Sequence, residues 1–439
     1  MKTKLLILFF SLIILSCNKA PQFSKINIVS YDMKVKYDTI SRNLYVNSSI
    51  LLEPLKQNND KISLLFLSLA KINKICFMNK NAQFNTSYKF DKDTIFIDVP
   101  EQLQNNKKLS LYLEYKLSLD LISDKELLAV ARSGKWCPLQ YDNFSKWKIE
   151  IETPQNYIAY SSGDLIYSSI DNNHGYFIWE NDYNLGVPLI ITPKNHYSII
   201  KKIIDNKEIN FYFVNKNSII VNKIIRELYN SFHFYNKLFG DYKHKQLSIF
   251  ELDDSGTDAM SIETFIVVHD SLFLHTNDPL FGGNLWISHE IAHQWIGSGY
   301  TNTFNTKLSW FIEEGLTEYV RYMFIEDNYG KDSLNAVFKQ YKNEFETQIL
   351  NTNDDIPISS NSSSRVIYIK GPIIFHYVRQ QIGDDNWKNF LRTLYNNYYG
   401  KVIDYEIFKS ELSKYDPTGK VIKRMEELTE MKGILPIQF

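Results

Sequence analysis

The chain has little cysteine: three residues in 439, at positions 17, 76 and 137. Cys76 and Cys137 stand too far apart for a metal knuckle or a redox pair. Outside the cytoplasm they could close one disulfide, and buried free thiols fit equally well. An excess of one charge is also missing. Lys and Arg number 49 against 50 Asp and Glu, a formal charge of -1. With no long basic run interleaved with aromatics, nucleic acid is not expected as a partner. No internal repeat and no long linker is visible. The N-terminal apolar run, Leu5 to Leu15, is too short to span a bilayer comfortably. Disorder is excluded as well, since 44% of residues are hydrophobic and 23% charged.

That first segment reads as an export signal. Lys2 and Lys4 precede the apolar run, and Ser16-Cys17 closes it. Ile14-Leu15-Ser16-Cys17 resembles a bacterial lipobox, in which the cysteine becomes the lipidated first residue. The expectation is therefore a signal peptide over 1–16, a tether over 17–24, lipidation at Cys17, and an exported protein anchored to a bacterial membrane.

Two structural regions follow. Over 25–200 apolar and polar residues alternate with a period of two, as at Met33, Val35 and Tyr37, and polar turn clusters such as Gln57-Asn58-Asn59-Asp60 punctuate them. This predicts a mainly antiparallel β domain. From 201 to 439 the period lengthens. Ile224, Leu228, Phe232 and Tyr235 share a helical face that ends near Phe239-Gly240. Helices are expected over Leu285–Ile296, Trp310–Tyr329, Leu334–Leu350, Ile373–Ile382, Trp387–Tyr398, Tyr405–Lys414 and Lys420–Met431. The fold class is α+β.

The chemistry concentrates in His289-Glu290-Ile291-Ala292-His293. Residues four apart share a helical face, so both imidazoles reach one point, and Glu290 lies one position along. Leu285, Trp286, Ile291, Ala292, Trp295 and Ile296 mark this helix as buried, where two histidines and a glutamate need a reason to be. A catalytic zinc takes three protein ligands and keeps one position open. Glu314, on a second helix, supplies the third. Glu318, one turn further, would accept an N–H from a ligand histidine, while Glu313 points elsewhere. Glu290 would be the general base. A developing oxyanion would need a further donor, and composition does not choose one among 29 tyrosines.

The motifs resemble the M1 family of zinc metallopeptidases, the group of aminopeptidase N and leukotriene A4 hydrolase. His289 through Gly297 is close to that family's His-Glu-Leu-Ala-His-Gln-Trp-Phe-Gly. Phe311 through Tyr319 is similar to Trp-Leu-Asn-Glu-Gly-Phe-Ala-Glu-Tyr, and Tyr368-Ile369-Lys370-Gly371 to Tyr-x-Lys-Gly. The resemblance implies one Zn²⁺ per chain on His289, His293 and Glu314. It makes Tyr368 the oxyanion donor and Lys370 a structural residue. It implies a saddle-like N-terminal β domain, a thermolysin-like catalytic domain, and peptide or protein substrates.

Three departures qualify this. The second histidine and the ligand glutamate are separated by the 20 residues 294–313, two more than is usual, which places an insertion in the loop 299–307. The family's Gly-x-Met-Glu-Asn strand, whose glutamate grips the substrate amine, corresponds best to Asp258-Ala259-Met260-Ser261-Ile262. Ser261 then stands where the charge belongs. Glu263, expected two residues on along the same strand face and about 6–7 Å away, compensates only if the chain bulges; otherwise the substrate is a longer peptide or the amine is gripped from elsewhere. The chain is also too short for the family's large C-terminal helical domain, which implies a more open cleft. Removal of N-terminal residues is the activity expected from the resemblance. An endopeptidase, or a peptide-binding lipoprotein without catalysis, are the alternatives.

Overall fold

The computed structural model describes residues 26–54, 60–80, 82–118, 128–130, 135–140, 143–214, 218–252, 259–269, 283–303, 306–360 and 364–437. The signal segment, the tether and Cys17 lie outside the described residues.

The first half is β structure. An eight-stranded sheet runs in the order Asp164–Ile170, His174–Asn184, Ser145–Pro154, Ile26–Asp38, Asn43–Pro54, Leu109–Ser118, Lys71–Asn79, Ala82–Asn85. Its pairs are antiparallel except Ile26–Asp38 with Ser145–Pro154, which is parallel. The period of two explains why these segments pair. Met33, Val35 and Tyr37 are buried between exposed Asp32, Lys34 and Lys36, and on another strand Leu109, Leu111, Leu113, Tyr115 and Leu117 are buried between half-buried neighbours. Two three-stranded sheets pack with it into one apolar core. Cys76 and Cys137 are both buried free thiols.

A five-stranded sheet forms the wall between the halves. Its order is Ser198–Ile204, Lys207–Phe213, Gln246–Leu252, Phe265–His269, Ala259–Ile262. Alternation divides its side chains. Phe211, Ile249, Ile266 and Val268 join the helical core, while Tyr212, Phe250, Phe265 and Val267 join the β core. Each half thus buries the face the other needs covered.

Eight α-helices are described in the second half: α1 (Ser218–Phe239), α2 (Gly283–Ala292), α3 (Leu316–Tyr329), α4 (Lys331–Gln348), α5 (Ser364–Ile382), α6 (Asp384–Tyr398), α7 (Tyr405–Ser413) and α8 (Lys420–Thr429). The expected apolar face of α1 is buried, and the helix stops at Gly240, whose φ of 114° suits glycine. Among the described residues no helix is long and apolar enough to cross a membrane.

Two helices differ from their sequence expectation in ways that place site residues. α2 ends at Ala292 rather than Ile296, with His293 in the turn that follows; its N–H still bonds the carbonyl of His289. α5 begins at Ser364, nine residues before the expected start. Gly371-Pro372 looks like a break, yet both lie inside the helix. Tyr368 consequently stands on a regular helix and not on a loop.

Candidate metal centre

The site is assembled from α2, from a π-helical turn over Phe311–Gly315 that leads into α3, and from α5. The π turn was not readable in the sequence. Such turns insert one residue into a helix and occur often at functional sites. This one carries both Glu313 and Glu314.

His289 Nε2 and His293 Nε2 are 3.1 Å apart, and each lies 3.4 Å from Glu314 Oε2. Among the described residues these three side chains alone make a buried group able to hold a metal ion, their donor atoms all within 4.8 Å of one another. The opposite ring nitrogens are already engaged. His289 Nδ1 sits 2.9 Å from Glu318 Oε2, and His293 Nδ1 sits 3.0 Å from the carbonyl of Ile296. With protons on Nδ1, the lone pairs of both Nε2 atoms face the shared point. Two nitrogens and one oxygen with a free direction remaining is a donor set that suits zinc.

The electrostatics favour positive charge at that point. Burial pushes the Glu314 carboxyl up, but the imidazoles of His293 and His289 outweigh it and hold it well below the usual carboxylate range. Glu318 follows the same pattern. Burial raises it, and Arg321 with His289 brings it down to about 2. Burial lowers His289, yet Glu314 and Glu318 carry it to about 10. The carboxylates of Glu314 and Glu318 thus favour positive charge at this point.

Tyr368 and Glu290 complete the cluster. The Tyr368 hydroxyl donates to Glu314 Oε2, and its ring centroid lies 5.5 Å from that of His289. Burial, with Glu314 second, raises its phenol well above the ordinary value, so it remains a proton donor. Glu290 is buried on α2 and close enough to act electrostatically on both His289 and Tyr368.

The candidate substrate strand is less simple than its sequence suggests. Ala259, Met260 and Ser261 lie on Ala259–Ile262, the edge strand beside α2. Glu263 does not. It falls in the two-residue turn after Ile262, where the strand face no longer continues, which corrects the expected placement. Its side chain is 2% exposed and its Oε2 lies 3.4 Å from the N–H of Leu185, in the β half. Burial raises its carboxyl well above the usual range. Ser261 is engaged too, accepting a hydrogen bond of 2.7 Å from Gln294 Nε2.

Gln294 is a residue whose role the sequence motif conceals. Its amide also donates to the carbonyl of Ile262 and accepts from the N–H of Thr264 and the hydroxyl of Tyr242. One side chain thereby locks the edge hairpin to the end of the metal-binding helix. Glu313 points elsewhere, as expected, but its partner is not legible in the sequence. It turns away from the metal point and accepts from Asn302 Nδ2. Asn302 belongs to the expected insertion, where Thr301–Asn302 pairs in parallel with Val402–Ile403. Lys370 is 2% exposed by side chain, 3.4 Å from Asp355 and 3.2 Å from the carbonyl of Met431, tying α5 to the C-terminal segment.

The family model of the peptidase family M1 domain matches residues 225–431. Over those residues the chain is similar to an M1 peptidase domain. Solved structures agree over nearly the whole length. The M1 zinc metallopeptidase from Deinococcus radiodurans is 14% identical, with 95% of this chain and 96% of that chain covered and a TM-score of 0.74. A mutant of it bound to a Tyr-Ser-Ala substrate is 13% identical, covering 95% and 97%, also at 0.74. A two-domain M1 zinc metallopeptidase mutant bound to L-arginine is 14% identical, covering 95% and 97%, at 0.74. At such identities the likeness is one of fold: a β half followed by a helical half, as found here.

Proposed function

We propose that this chain hydrolyses peptide bonds with one zinc ion held by His289, His293 and Glu314. The observation that carries the reading is the convergence of two Nε2 atoms and one carboxylate oxygen on a single buried point. When bound there, zinc supplies a Lewis acid for the scissile carbonyl and makes water nucleophilic near neutral pH. Glu290 accepts the proton of the attacking water and returns it to the leaving amine. Tyr368 donates its hydroxyl proton to the oxygen on which negative charge develops. Glu318 keeps His289 in one tautomer and one orientation. The edge strand Ala259–Ile262 offers backbone groups with which an extended peptide can pair.

Removal of N-terminal residues is the first reading of where the cut falls, by resemblance to the family. A second reading, cleavage at bonds remote from a free amine, is favoured by the side chains around that strand. Ser261 is uncharged and bonded to Gln294, and Glu263 is buried and faces the β half. Peptides with free and with acetylated N-termini separate the two: equal cleavage of both ends the aminopeptidase reading. We further propose export and membrane anchoring through a lipidated Cys17, on the strength of the lipobox-like segment. Mass spectrometry of the mature N-terminus tests that.

The decisive test of the chemistry is Glu290→Gln. Zinc content should stay near one per chain while turnover falls by about 10²–10⁴-fold. Unchanged turnover at full zinc content sinks the mechanism. A wild-type protein that holds zinc and binds peptides without cleaving any leaves the non-catalytic reading.

A further inference from the structure

Behind His289 lies a second buried charge pair that the motifs do not mention. Arg321, one turn beyond Glu318 on α3, is 2% exposed. Its guanidinium grips Glu318 with two nitrogens, Nε to Oε2 at 2.9 Å and Nη2 to Oε1 at 2.5 Å. It lies 5.3 Å over the ring of Trp286, on α2, and 5.2 Å over the ring of Tyr322. Nη2 also reaches the hydroxyl of Tyr341, on α4, at 3.3 Å. Three helices thus contribute to holding one guanidinium.

Burying an arginine costs several kcal/mol unless its surroundings repay it, by roughly the amounts known for buried ions. Replacing such a pair by apolar side chains is often neutral or stabilising. Stability alone is therefore a weak reason for this pair. Its geometry suggests another. A lone carboxylate can rotate, and either oxygen can face a histidine. With Oε1 and Oε2 both taken by the planar fork, the Glu318 carboxylate has one orientation. In that orientation Oε2 stands 2.9 Å from His289 Nδ1. A fixed acceptor fixes the ring, and the ring fixes where Nε2 points. A lysine presents a point charge and could not hold both oxygens in one plane.

We propose that Arg321 is a positioning residue of the metal site, which acts on the metal only through Glu318 by locking the carboxylate that orients His289. Trp286 takes part as the platform that brings the guanidinium back to α2, the helix that bears His289 and leads into His293. The proposal rests on the reading of His289, His293 and Glu314 as zinc ligands.

A double-mutant cycle on the full chain tests it. Zinc affinity is measured by competition with a chelating dye for the wild type, Arg321→Met, Glu318→Gln and the double variant. Each single change should weaken zinc binding by about 10–100-fold, the usual effect of losing a partner of a ligand histidine. The double variant should bind zinc no more weakly than Glu318→Gln alone. A folded Arg321→Met protein with wild-type affinity overturns the proposal, and so do losses that multiply in the double variant. Should Arg321→Met fail to fold, Arg321→Lys keeps the charge and loses the fork. It should retain secondary structure and still bind zinc several-fold more weakly; wild-type affinity there also overturns the proposal. With zinc saturating, the reconstituted variants should recover KM. A wild-type chain that takes up no zinc removes the site reading itself, whereas normal wild-type uptake with an indifferent Arg321 removes only this step.

Discussion

Gly371 on α5 lies against Gly315 at the end of the π turn: a Cβ built on Gly371 would meet the Cα of Gly315 at 3.0 Å. Neither residue has a side chain to keep the backbones apart, and this contact sets α5 down beside the metal ligands. Tyr368, three residues before Gly371, reaches Glu314, the residue before Gly315, as a direct result. Gly371→Ala should push α5 outward. Overpacking costs about 1–3 kcal/mol, set against about 1 kcal/mol regained from helix propensity. A small loss of Tm with a clear loss of kcat is expected. Unchanged kcat in a folded variant would show that the close approach does not place Tyr368.

Tyr368→Phe isolates the hydroxyl from the ring. The ring packs 5.5 Å from that of His289 and stays in place. Only the donor to the developing negative charge is lost. Removing one such donor lowers kcat by about 10²–10³-fold with little change in KM. Steady-state kinetics on one peptide decide it. A KM effect without a kcat effect assigns Tyr368 to binding.

Much of this arrangement could be read from the sequence, and the parts that could not share a cause. The spacing of His289, His293, Glu314 and Glu318 is a local periodic signal, and so is the alternation that built the strands. Those survive folding because one face must be buried. The start of α5 is hidden in the sequence because Gly371-Pro372 breaks helices as a rule. Here the missing N–H of Pro372 and the missing side chain of Gly371 are tolerated, the latter because it makes room for Gly315. The strand face that the pattern extends to Glu263 ends one residue earlier, since two-residue turns move boundaries by amounts that patterns do not resolve. Gln294, Asn302 and Arg321 act through partners distant in sequence or on other helices, which a single sequence does not display.

Metal removal should expose how much of the fold leans on the site. Glu290, Glu314 and Glu318 are all buried around it, and carboxylates gathered there gain from a divalent cation. A ligand that binds only the folded state at a thousand times its Kd stabilises by about 4 kcal/mol. Dialysis against a chelator should therefore lower Tm by several degrees, and added zinc should restore it. Glu314→Gln should abolish the zinc-dependent part of that shift. A Tm indifferent to both chelator and zinc would count against the site.

Acid should weaken the fold through His244. Burial carries this imidazole down to about 4, and its Nε2 sits 3.0 Å from the hydroxyl of Tyr399. Above about pH 6.5 the group is neutral whether the chain is folded or not. As pH falls towards 4 the unfolded chain takes up a proton that the folded chain refuses, so stability drops across that window, by no more than about 3 kcal/mol. Urea unfolding at pH 7, 5.5 and 4.5 measures the slope. His244→Asn should flatten it.

Glu263 should act in the opposite direction, in the turn that carries the edge strand. Its carboxyl is buried, and its Oε1 has no hydrogen-bond partner among the described residues. Burial raises its proton affinity well above that of an exposed glutamate. A folded-state value above the unfolded one gives stability that is full below about pH 4.5. That stability is lost as pH rises through the folded value, because the unfolded chain ionises first. At neutral pH the wild type bears this cost and Glu263→Gln does not. The amide fills the same volume without a charge to desolvate, so the variant should unfold at higher urea near pH 7 and match the wild type near pH 4. If Glu263 instead served as the acceptor for a substrate amine, the same substitution would raise KM for free peptides and leave acetylated ones unaffected. A stability gain at pH 7 with KM unchanged for both peptides would place Glu263 in the turn's packing and leave the amine without a carboxylate from this residue.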